Sequence, residues 1–136
     1  MIDLSDTAMT TAGIAVLAAT TVTTGGYFLL RINTGGARAT DFQRRFFRAG
    51  HAHAGVFITL GLVCLLLTEA TALTGGWAWL ARTGVLIAAI VMPAGFFFSA
   101  MGADRSTPNR WIVLLYFGAG FLIAGLLTLG VGLLTT

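Results

Sequence analysis

Apolar residues dominate four long stretches of the chain, at about 8–30, 50–73, 79–101 and 111–134, and polar or charged residues gather between them. A helix that crosses a bilayer needs roughly 20 mostly apolar residues, and each stretch meets that length. The pattern predicts an all-α protein: an integral membrane bundle of four transmembrane helices, forming a single domain over residues 1–136. Composition supports it, with 57% hydrophobic and only 10% charged residues and a mean hydropathy of +0.89. Soluble domains carry about 25% charged residues.

The first span, "AMTTAGIAVLAATTVTTGGYFLL", is rich in Thr, Ala and Gly. Small residues let helix backbones approach, and hydroxyls bond back to their own helix, so this span is expected to pack among others. Gly35 and Gly36 mark a turn after it. "TDFQRRFFRA" then reads as the start of an interfacial helix, capped by Thr40 or Asp41, with Phe42, Phe46 and Phe47 turned to the acyl boundary. "TGGWAW" reads as a short loop whose Trp77 and Trp79 suit an interface. Pro93 predicts a kink in the third span. Gly118, Gly120, Gly125, Gly130 and Gly132 suggest close helix contacts in the fourth. The small-residue faces of spans one and four invite a homo-oligomer.

Charge sets the expected orientation. All eight basic residues are arginines. Arg31, Arg38, Arg44, Arg45 and Arg48 lie in or beside the first loop, Arg105 and Arg110 in the third, and Arg82 alone near the second. The positive-inside rule therefore predicts a multi-pass protein of the cell membrane, with loops 31–47 and 102–110 cytoplasmic and both termini outside. The same cluster argues for anionic lipid as partner rather than nucleic acid, since no aromatic-interleaved basic face accompanies it. The N-terminal "MIDLSDTAM" has no basic leader region, so the first span is expected to stay in the mature protein. Cys64, the lone cysteine, reads as a small buried apolar residue.

The candidate chemistry lies in "RAGHAHAGVF", residues 48–57, which holds both histidines of the chain. Helical neighbours two apart project about 200° from each other, so His51 and His53 serve opposite flanks and cannot chelate one small ion together. Zinc asks for three or four ligands, and Cys64, Glu69 and the few aspartates lie too far away, which argues against a mononuclear zinc enzyme. Haem asks for only one or two axial ligands and apolar packing. Met92 and Met101 are further candidates for a sixth ligand.

"HAHAGVFITLG", residues 51–61, resembles the HAHAxxFxxxG helix of bacterial nitric oxide reductase large subunits, in the haem-copper oxidase superfamily. The resemblance implies His51 as a high-spin and His53 as a low-spin haem b ligand, with Phe57 and Gly61 at the motif's packing positions. It covers 11 residues. The family's longer bundle, its extra metal-binding histidines and its partner histidine on another helix are absent. What it implies here is a minimal b-type haem protein, particularly as a dimer whose copies supply opposing ligands. Its role would be electron transfer, gas binding or haem handling, with an unknown redox partner.

Two alternatives stand beside it. One is a non-enzymatic small transporter, channel or accessory subunit with interfacial histidines. Glu69, 18 residues after His51 and on the same helix face, would extend a polar path in that reading; otherwise it simply meets water at the outer interface. The other is an enzyme similar to the membrane-associated glutathione and eicosanoid metabolism proteins, which "RRFFRAGHAHA" resembles through its arginines. There "RAGH" interrupts the family's run.

Overall fold

The computed structural model describes residues 4–135. Four helices follow one another: α1 (Asp6–Asn33), α2 (Asp41–Thr68), α3 (Gly75–Ala100) and α4 (Val113–Leu134), the last preceded by one 3-10 turn at Arg110–Ile112. Each is long and apolar enough to cross a bilayer. This is the all-α transmembrane bundle that the hydrophobic pattern predicts. A helix of 28 residues is about 42 Å long, so α1 and α2 exceed a hydrocarbon core of about 30 Å at their polar ends.

The helix ends explain the boundaries. Ser5 caps α1, its hydroxyl accepting from the Ala8 N–H. Thr40 caps α2 through a reciprocal box: its hydroxyl accepts from the Gln43 N–H, and the Gln43 side chain accepts from the Thr40 N–H. The expected interfacial helix thus has its cap, but it does not end. It runs without a break into the second span: Gly50 and Gly55 stay helical, and no proline interrupts "RAGHAHAG". The expected "TGGWAW" loop is shorter than its sequence suggests: Gly75 takes positive φ and α3 starts there. Trp77 and Trp79 stand exposed on its first turns. α3 is helical on both sides of Pro93.

α3 is the centre of the bundle, packed against α2 on one side and α4 on the other. Glycines set the separations. A Cβ on Gly84 would stand 2.9 Å from the Gly125 Cα, so α3 and α4 touch backbone to backbone there. Gly118 receives Met92 and Gly132 receives Leu73. Gly120 and Gly130 meet nothing within 4 Å, so the expected close contacts form at only three of the five glycines of α4. Those three, Gly118, Gly125 and Gly132, repeat every seven residues and mark one seam. Cys64, Ala81, Val85 and Leu129 form the core between the helices.

α1 departs from expectation. It packs chiefly against α2, and Ala8, Ala15 and Ile32 are its buried residues. Its threonines do bond back as expected: Thr20, Thr21, Thr23 and Thr24 each donate to the carbonyl three residues earlier. With their hydroxyls satisfied internally, they need no neighbouring helix.

The first and third loops meet at one end of the bundle. Thr40 donates its hydroxyl to the Arg105 carbonyl, and Gln43 donates to the carbonyls of Ala100 and Gly102. Seven of the eight arginines therefore belong to one end of the molecule.

Candidate functional site

His51 and His53 lie on α2, about 4.5 and 7.5 Å along the axis beyond Arg48. Their opposed directions follow from helix geometry, and their neighbours confirm them. His51 faces α1, where a Cβ on Gly25 would sit 3.1 Å from its Nδ1 and one on Gly26 would sit 3.4 Å from its Cε1. The paired glycines are what give the imidazole room. His53 faces the Phe96 side of α3, with ring centroids 5.0 Å apart, and meets the edge of Phe57 at 5.2 Å.

Gly50 explains why "RAGH" holds a glycine. A Cβ there would stand 2.9 Å from the Phe97 ring and 3.0 Å from the Phe96 Cβ. Its absence lets α3 close onto α2 beside both histidines. Gly61, one of the motif's packing positions, does the same under Leu86. Phe57, the other, reaches from His53 to the Cys64–Val85 core.

An aromatic layer surrounds the pair. Phe47 stacks on Phe97 at 5.3 Å and meets the Phe28 edge at 5.2 Å. Phe46 bridges Phe42 and Phe96. The expectation that Phe42, Phe46 and Phe47 face the acyl boundary is therefore corrected. Phe47 is buried, and the other two pack against its cluster with Ile32 and Ala100. The reason is the unbroken α2, which carries these rings along α3 instead of across the interface. Of the triplet Phe96, Phe97 and Phe98, only Phe98 is exposed.

The two histidines differ in their hydrogen bonds. His53 Nδ1 lies 2.7 Å from the Ala49 carbonyl oxygen. A carbonyl only accepts, so Nδ1 carries a proton, and in the neutral ring Nε2 keeps its lone pair. A fixed tautomer of this kind is the usual support of a metal-binding imidazole. His51 has no hydrogen-bond partner among the described residues. It lines a cavity of about 240 Å³ with Ala18, Thr21, Val22, Ile58 and Phe97 among its walls.

A haem asks for an axial nitrogen with a free lone pair and for apolar walls. His53 supplies such a nitrogen beside the apolar rings of Phe57 and Phe96. The His51 ring lies against the α1 backbone, and its cavity of about 240 Å³ is smaller than the roughly 300–1,000 Å³ of pockets that enclose drug-sized ligands. The methionines are placed elsewhere: Met92 packs on Gly118 of α4, and Met101 is exposed at the end of α3. Among the described residues no three His, Cys, Asp or Glu side chains gather as metal ligands. Arg44, Arg45 and Arg48 are exposed, with Arg44 beside Asp41.

Glu69 belongs to the opposite end. It pairs with Arg82 at 2.6 Å and accepts the Ser5 N–H at 2.9 Å, and its side chain is only 8% exposed. It neither continues a polar path from His51 nor stands free in interfacial water. The sequence signal was available: opposite charges stand on either side of a short helix connection. Ser5 gave no such sign.

No known protein family, curated protein or solved structure matches this chain. Its class rests on its own architecture: a four-helix transmembrane protein with a histidine pair set in an aromatic layer.

Proposed function

We propose that this chain is a small multi-pass protein of the cell membrane that holds a b-type haem through His53, in an assembly where a second copy supplies the opposing ligand. Its role is electron transfer, gas binding or haem handling. The observation that carries the reading is the His53 Nδ1 to Ala49 carbonyl bond of 2.7 Å, which leaves Nε2 as the ligating atom. When bound, a haem supplies a one-electron couple and a place for a small gas. The Ala49 carbonyl holds the ring in one tautomer and orientation. Phe57 and Phe96 pack against the ring. A second copy fits the symmetry of the task, because one helix offers one nitrogen on this flank.

The test is the absorption spectrum of purified protein, oxidised and dithionite-reduced, after expression with added haem precursor. The wild type and His51→Ala are expected to carry a Soret band that shifts on reduction, and His53→Ala to lose it. A protein that stays colourless after haem reconstitution overturns the reading. A band lost in His51→Ala and kept in His53→Ala transfers the ligand role to the other flank.

A further inference from the structure

Two cavities lie end to end between α1 and the α2–α3 pair. The one beside His51 has about 240 Å³ and the next about 210 Å³, and Ala18, Ile58 and Ile90 line both. Together they follow α1 from Thr11 to Gly25, 15 residues whose ends stand about 21 Å apart along the helix. That is most of the way across a hydrocarbon core of about 30 Å. The walls are apolar except for three threonines and His51. Thr11, Thr21 and Thr83 each donate their hydroxyl to a carbonyl of their own helix. His51 is the lining side chain with a hydrogen bond still to offer.

We propose that this crevice binds a lipoquinone, with its ring at His51 and its hydrocarbon tail along α1 toward Thr11. The length suits a long flexible chain rather than a compact ligand. The head must be uncharged, because no charged side chain lines the crevice and a phosphate would stay at the level of Arg48, a turn further out. It must also be flat and polar at its edge, because Phe97 and Pro93 wall the His51 end and favour a ring. A neutral imidazole donates from one nitrogen and accepts at the other. It therefore serves a quinone carbonyl or a quinol hydroxyl equally. The proposal does not require haem: a colourless protein that binds quinone removes only the haem reading.

The test is photolabelling of the full chain in phosphatidylcholine nanodiscs with an azido-substituted decylubiquinone, followed by peptide mapping. Label is expected on peptides carrying Thr21–Gly25 or His51–Ile58, and excess decylubiquinone should suppress it. Ala18→Phe, which plugs the passage between the cavities, should reduce labelling at least tenfold, and His51→Leu severalfold. Should Ala18→Phe fail to give a monodisperse helical protein, His51→Leu, closer in volume, carries the test alone. Label spread over lipid-facing positions such as Tyr116 and Ile123, indifferent to competitor, overturns the proposal. Competition by decanol as strong as by decylubiquinone, with no effect of His51→Leu, also overturns it and makes the crevice a lipid-chain groove.

Discussion

Arg82 meets Glu69 at 2.6 Å across the short connection between α2 and α3, and the same carboxylate accepts the Ser5 backbone N–H at 2.9 Å. Three helices are thereby joined at one point: the start of α1, the end of α2 and the first turns of α3. Loss of the charge by Glu69→Gln should cost about 2 kcal/mol, the scale of a charge-assisted hydrogen bond. The Ser5 N–H and then the Arg82 guanidinium hold this carboxyl below its ordinary range. A depressed pKa contributes stability above the unfolded value, and that contribution is lost as pH falls through the folded one. Thermal unfolding in detergent should therefore separate wild type from Glu69→Gln at neutral pH, and the gap should close on acidification below the usual glutamate range. A gap constant with pH would mean the carboxylate is not the group that matters.

Glycine substitutions should split by what their Cβ meets. At Gly84 and Gly125 the neighbour is the backbone of the facing helix, within 2.9–3.3 Å. A backbone does not rotate away, so Gly84→Ala and Gly125→Ala should each cost about 1–3 kcal/mol as overpacking. Gly120 on the same helix meets nothing within 4 Å. There alanine should be neutral or stabilising by up to about 1 kcal/mol, through helix propensity alone. Unfolding midpoints of the three variants decide it, and equal effects would refute the seam.

Helix number and span positions were legible because hydrophobic length is a local property of the sequence. The opposed flanks of His51 and His53 were legible too, because they need only the helical repeat. The position of α1 was not: small residues permit close packing but do not say how much of it occurs within one chain. Phe47 was misread for a related reason. Its side depends on whether α2 breaks between Arg48 and Gly50, and no single residue there announces continuity. The Gly25–His51 contact escaped because it joins residues of different helices, and nothing in "TTGGYF" points to an imidazole.

The Thr40 cap should be separable from the rest of α2. Thr40→Ala removes the capping hydroxyl and its bond to the Arg105 carbonyl, at a cost of about 1 kcal/mol. Amide exchange should quicken over the first turns, Phe42 to Arg45, while the span around Cys64 keeps its protection. Uniform loss of protection along α2 would show instead that the helix unfolds as one unit.

The arginines gathered at one end carry a prediction of sidedness. Thr40 and Gln43 bind the third loop directly, so both arginine-rich segments must lie on the same face of the membrane. The positive-inside rule predicts that this face is the cytoplasmic one. Cys64 is buried in the core, so a single introduced cysteine reports cleanly. In intact cells a membrane-impermeant maleimide should label Ala72→Cys, in the exposed connection before α3, and leave Ser106→Cys untouched until the cells are opened. The reverse pattern would place His51 and His53 in the outer leaflet, and any redox partner of the pair would then have to be sought outside the cell.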